Sequence, residues 1–157
     1  MSQGAETIDL ETSVGYLLKE ASSSLRVAME KALRPLGLTV TQYSCLELLA
    51  QRPGLTNSEL ARGAFVTRQS MNVLLVGLER DGLVSRATTA PVGKALPTQL
   101  TDGGRRVLAE ASAAIRSVER TMLRDLTSGE QSTVVRMLRA MVHALRDAPN
   151  TPPPELG

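Results

Sequence analysis

The sequence predicts a mainly α-helical chain with a minor β component, six helices and one two-stranded hairpin, on three observations. Apolar residues recur at three- and four-residue spacing through long segments, the pattern of a helix that buries one face. Ser or Thr repeatedly stands just ahead of these stripes, where its oxygen accepts from the unpaired N–H groups of a first helical turn. Aromatic residues are 2% of the chain and Trp is absent, so the core must come from Leu, Val, Ala and Met, which suits helices better than sheets. At 157 residues the chain is the size of one domain.

Residues 1–12 lack periodicity and are expected to be a flexible N-terminus, as is a disordered Pro-rich tail over 148–157. From Ser13, the residues Val14, Leu17, Leu18, Ala21, Leu25, Met29, Ala32 and Leu36 form one stripe, and Pro35-Leu36-Gly37 ends that first helix. Thr39 with Gln42 opens the second helix, flanked by a Leu38/Tyr43 staple. Thr56 with Glu59 opens the third and Thr67 the fourth, with Ser70 where the glutamate of a capping box would stand. Leu83–Ala87 and Leu96–Leu100 read as strands, and the intervening TTAPVGK, with Pro91 and Gly93, as a turn. A fifth helix runs from about Asp102 to Leu126, and Ser128 with Gln131 opens the sixth, which carries Val134, Val135, Leu138, Met141, Val142 and Leu145.

The third and fourth helices are short, joined by a few residues around Gly63-Ala64-Phe65, and followed directly by the hairpin. That order is a helix-turn-helix with a β-wing, in which the second helix enters the DNA major groove and presents its N-terminal side chains to base edges. In the fourth helix Met71, Leu74, Leu75 and Leu78 form the buried stripe, leaving Thr67, Arg68, Gln69, Ser70, Asn72 and Val73 outward. Arg pairs bidentately with guanine, Gln or Asn with adenine, and Ser and Thr reach phosphates or bases. The same residues would also serve merely to solvate an amphipathic helix; the adjoining hairpin and the local charge favour the nucleic-acid reading.

The charge is uneven. Of 18 basic and 16 acidic residues, eight basic and four acidic lie between Arg52 and Arg106, leaving the flanks slightly acidic. A positive centre held by neutral-to-acidic arms fits a polyanion partner. No run reaches the length of a membrane span, and the acidic N-terminus lacks the features of a signal peptide, which places the protein in the cytoplasm with no membrane partner. The lone Cys45 excludes an internal disulfide, His143 has no second histidine with which to share zinc, and no hydrolytic triad, phosphate loop or dinucleotide fingerprint is present. No cofactor and no enzymatic activity are expected.

The span LTNSELARGAFVTRQSMNVLLVGLERDGLVSR resembles the helix-turn-helix of the MarR family of bacterial regulators, notably at Leu60-Ala61, Leu78-Glu79 and Gly82-Leu83-Val84 with Arg86. Leu38-Thr39 with Gln42 before it, and Leu100-Thr101 with Gly104 after it, extend the similarity over about residues 13–147. The resemblance implies a single unit in which residues 13–37 and 102–147 are dimerisation helices and 38–101 the DNA-binding lobe. It implies a homodimer acting, most often as a repressor, on a pseudo-palindromic operator in double-stranded DNA. A small aromatic or phenolic effector between the base and the lobe would release it, with Tyr16, Met29 and Tyr43 as candidate liners. The expected DNA contacts are Thr56, Thr67, Arg68, Gln69, Ser70, Asn72, Val73, Arg86 and, in the wing, Lys94. The alternative is a helical dimer that binds DNA without sequence preference, or a protein partner, and answers to no ligand.

Three departures from the family stand out. The wing tip reads Pro91-Val92-Gly93-Lys94 where relatives carry Asp and Arg, and lysine lacks the planar fork of arginine. Phe65 replaces the glycine of the turn, implying a wider turn or a plug for the core. Val76-Gly77 stands where polar residues are usual. Some relatives sense peroxide through a cysteine near the start of the first helix; Cys45 lies in the second, with no flanking base, and is expected to be buried and inert.

Overall fold

The computed structural model describes residues 7–86 and 98–149. The element order is α1 (Val14–Leu33), a 3-10 turn (Arg34–Leu36), α2 (Val40–Gln51), α3 (Asn57–Gly63), α4 (Arg68–Arg80), β1 (Val84–Arg86), β2 (Thr98–Leu100), α5 (Asp102–Leu123) and α6 (Ser128–Asp147). Contacts divide the chain into two compact units, one up to Glu119 and one from Arg120.

In the first unit, caps and turns fix where each helix begins and ends. The Ser13 hydroxyl accepts from the Tyr16 N–H to start α1. This helix buries Leu33, its last residue, while Val14, Leu17 and Leu18 are exposed. Gly37, in the left-handed region at φ 70°, then turns the chain, with Leu38 N–H donating back to the Leu33 carbonyl at 3.4 Å. Thr39 and Gln42 form a full capping box on α2: the Gln42 N–H donates to Thr39 Oγ1 at 3.1 Å and the Thr39 N–H to Gln42 Oε1 at 2.9 Å. Thr56 and Thr67 cap α3 and α4 through one half of that arrangement, their hydroxyls accepting from Glu59 N–H and Ser70 N–H.

The core is aliphatic. Leu46, Leu60, Met71, Leu75 and Leu78 are fully buried, joined by Leu33 from α1, Val84 and Leu100 from the strands and Leu108 and Ala111 from α5. The strands pair antiparallel with Val84 opposite Leu100 and Arg86 opposite Thr98; Ala87, Leu96 and the turn between them lie outside the described residues. Thr101 ties the start of α5 to the end of α4. Its N–H donates to the Leu83 carbonyl at 3.1 Å, its hydroxyl to the Gly82 carbonyl at 2.6 Å, and Gly104 N–H donates to its Oγ1 at 3.0 Å. Gly104 is required here, because a Cβ on it would stand 2.0 Å from the Leu83 carbonyl oxygen.

In the second unit, α5 closes at Leu123 rather than Leu126, and α6 is capped one residue earlier than the sequence reading placed it. Thr127, not Ser128, accepts from Glu130 N–H at 3.2 Å, and Glu130 Oε2 accepts from Thr127 N–H at 2.8 Å. Both Thr127/Glu130 and Ser128/Gln131 satisfy the capping spacing. The carboxylate wins because it also meets the positive end of the helix dipole. Gln131 is freed to donate from Nε2 to the Leu126 carbonyl at 3.1 Å, satisfying an acceptor beyond the end of α5. No residue of α6 is buried, and Val135, Leu138, Val142 and Leu145 are exposed on it.

Candidate nucleic-acid interface

Helices α3 and α4 meet through a tight turn. Phe65 N–H donates to the Arg62 carbonyl at 3.3 Å and Val66 N–H to the Ala61 carbonyl at 3.0 Å, the paired bonds of a Schellman motif. Phe65 occupies its left-handed position at φ 59° with the side chain 88% exposed. The turn is therefore not widened and Phe65 does not plug the core: its backbone adopts the glycine conformation and its ring points to solvent.

At about 3.6 residues per turn, the buried Met71, Leu75 and Leu78 place Gln69, Val73, Val76 and Arg80 along the opposite ridge of α4. Arg68, Gln69 and Ser70 are all exposed in the first turn, where the helix dipole is positive and N–H groups lack helical partners. Among the described residues nothing pairs with the Arg68 or Gln69 side chain. The Thr67 hydroxyl, by contrast, is engaged: it accepts from Ser70 N–H at 3.1 Å and donates to Ser70 Oγ at 2.9 Å. Thr56 Oγ1 is similarly held by Glu59. Both threonines position helices first and can reach a phosphate only from those fixed points.

Asn72 has a partner that the sequence did not disclose. Its Oδ1 accepts from Asn57 Nδ2, a bond from the first turn of α3 to the outer flank of α4. No local pattern signals a contact fifteen residues apart. The bond occupies the acceptor that a bidentate contact to adenine would use.

Arg86 is half-withdrawn from solvent. Its side chain is 26% exposed, its Nε lies 3.6 Å from Glu79 Oε2, and Nε and Nη2 are buried without a hydrogen-bond partner. Arg86 thus faces the end of α4 as much as any external phosphate. Lys94 lies outside the described residues. Cys45 is fully buried, and burial pushes its thiol up to about 12, the nearby Arg86 charge only partly opposing this.

Of the candidate effector residues, one borders a recess of the structure. Tyr43 lines a recess of about 200 Å³ with Glu47, Leu48, Gln51 and Arg52. A larger one of about 570 Å³ lies between α2, β2 and α5, bordered by Glu47, Gln99, Arg105 and Ser112. Neither Tyr16 nor Met29 borders either recess; both sit on α1, with Tyr16 exposed. Ser112 Oγ donates to Glu47 Oε2 at 3.0 Å, joining α2 to α5. Burial raises the Tyr43 phenol above its usual value; a hydrogen bond with Ser112 opposes this and the Glu47 charge adds to it. Among the described residues no cluster of His, Cys, Asp or Glu could hold a metal ion, and no helix is long and apolar enough to cross a membrane.

A short capped helix, a tight turn, an outward-facing second helix and an antiparallel strand pair define a winged helix-turn-helix protein. The pattern that defines the MarR family matches residues 36–95. The chain is 40% identical over 131 residues to the HTH-type transcriptional repressor Rv2887 of Mycobacterium tuberculosis, covering 83% of this chain and 94% of that one. The chain belongs to the MarR family. The crystal structure of Rv2887 with salicylic acid is 41% identical at a TM-score of 0.69, covering 83% of this chain and 96% of that one. The Rv2887 complex with DNA is 39% identical at a TM-score of 0.69, covering 83% and 98%. The repressor CouR bound to a 23-mer DNA duplex is 26% identical at a TM-score of 0.77, covering 90% and 98%.

Proposed function

We propose that this protein is a sequence-specific DNA-binding transcriptional repressor that acts as a homodimer in the cytoplasm and performs no catalysis. The observation that carries this is the outer ridge of α4, whose first turn presents unpaired Arg68 and Gln69 beside the positive end of the helix. Rv2887, which shares the fold and two-fifths of the sequence, has been crystallised with DNA. A two-fold partner would cover the exposed Val135, Leu138 and Val142 of α6 and place two α4 helices about one turn of DNA apart. Residues 13–37 and 102–147 then serve association and 38–101 recognition. A small aromatic acid releases the DNA, in keeping with the salicylic and p-aminosalicylic acid complexes of Rv2887; Tyr16, Met29 and Tyr43 are its proposed liners, of which Tyr43 borders a recess.

The test is binding to duplexes enriched from a random pool. Arg68→Ala or Gln69→Ala is expected to lose about 1–3 kcal/mol at defined base pairs, while Lys94→Ala weakens every sequence and reduces the salt slope by about 1. Equal losses on all sequences would favour a sequence-tolerant binder instead. Sedimentation as a folded monomer at micromolar concentration refutes the dimer.

A further inference from the structure

Two valines occupy the middle of the α4 ridge, Val73 at 71% exposure and Val76 at 59%, between Gln69 and Arg80. Both are among the larger apolar side chains left open on the first unit, and they share a face with the unpaired Gln69 and with Arg80, whose Nε lies 3.8 Å from Asp81 Oδ1. A helix needs neither valine there: β-branched residues lower helix propensity, and apolar surface in water carries no gain. Polar residues at this position would solvate the helix better. Asn72, the neighbouring polar side chain, has its acceptor held by Asn57, so the ridge between its two polar ends reads as apolar.

The major-groove wall of duplex DNA offers one apolar group, the C5 methyl of thymine. Residues three apart on a helix are separated by about 4.5 Å along its axis, close to the roughly 3.4 Å step of a base pair. The basic and polar ends of the ridge, Arg80 and Gln69, complement phosphates and base edges on either side. We propose that Val73 and Val76 form a methyl-reading strip that selects 5-methylpyrimidine at the base pairs next to the one met by Gln69, Val73 being the principal reader. This rests on α4 being the helix that enters the groove, and it names part of the sequence which that helix prefers.

The experiment uses the full-length protein and a duplex enriched from a random pool, with thymidine replaced by deoxyuridine one position at a time, which removes the methyl and keeps every hydrogen-bonding group. At two adjacent positions in each half-site the replacement is expected to weaken binding, by about three- to fivefold at the one met by Val73, from the burial of one methyl. Val73→Ala, at an exposed site and checked for unchanged helicity by circular dichroism, is expected to bring that ratio below about twofold, and Val76→Ala to do so at the adjacent position. Cytosine restored to 5-methylcytosine in a C-substituted site separates the methyl from thymine's carbonyl: partial rescue supports the strip. Equal binding of thymidine and deoxyuridine duplexes, or a penalty that persists in Val73→Ala, overturns this inference while leaving the repressor reading intact. Recovery of no preferred sequence overturns both.

Discussion

The Val66 N–H donates to the Ala61 carbonyl at 3.0 Å, closing the turn between the two helices of the DNA-reading pair around a phenylalanine in a glycine conformation. For an L-residue the left-handed region costs about 1–2 kcal/mol, and the 88%-exposed ring recovers none of it by burial. Phe65→Gly is therefore expected to stabilise the chain by about 1 kcal/mol in urea denaturation, less than the full strain because glycine also frees the unfolded chain. Phe65→Ala keeps the Cβ and should gain little. A loss of stability in the glycine variant would show that the ring makes a contact that offsets the strain.

Gly77 and Gly104 make opposite predictions from the same substitution. A Cβ on Gly77 meets only the end of the flexible Arg80 side chain at 3.9 Å, so Gly77→Ala is expected to stabilise α4 by up to about 1 kcal/mol. On Gly104 it would stand 2.0 Å from a carbonyl oxygen held in the Thr101 network, and Gly104→Ala should cost about 3 kcal/mol or prevent folding. Thermal melts of the two variants moving in the same direction would contradict this geometry.

The parts legible in the sequence were those encoded over three or four residues. The caps at Thr39, Thr56 and Thr67 followed from one hydroxyl and the N–H three residues on, and the α4 stripe from its period. Where two overlapping patterns both fit, at Thr127 and Ser128, spacing alone could not choose; the charge of Glu130 did. Leu33 rather than Leu36 is the buried residue near the end of α1, because the chain leaves the helix before Pro35 and the stripe no longer applies. The Asn57–Asn72 bond and the choice of residues that border the recess of Tyr43 depend on how helices pack, which no local period records.

Cys45 gives a pH dependence of defined sign. Its thiol is raised from an ordinary 9.0 to about 12, so below pH 9 it is protonated in both folded and unfolded chains and has no effect. Between about pH 9 and 12 the unfolded thiol ionises while the folded one does not, and stability falls by up to about 1.4 kcal/mol per pH unit. Urea midpoints measured from pH 8 to pH 10.5 should decline, and Cys45→Ala should flatten part of the decline, leaving the share due to the raised Tyr43 phenol. An unchanged slope in the variant would remove the thiol as its source. The same burial predicts that a thiol reagent labels Cys45 only after unfolding.

Asn57 is expected to act on DNA recognition through Asn72 rather than by touching bases itself. It lies on α3 and donates to the Asn72 acceptor, fixing one amide on the flank of the reading helix. An exposed bond of this kind adds at most about 1 kcal/mol to folding, so Asn57→Ala should leave the melting temperature nearly unchanged. Freed from it, Asn72 gains rotamers that must be lost again on binding, and affinity for the preferred duplex should fall a few-fold with preference relaxed at one base pair. In a double-mutant cycle, Asn57→Ala should then have almost no further effect in an Asn72→Ala background. If the two losses simply add, Asn57 meets the DNA independently and the interface extends onto α3.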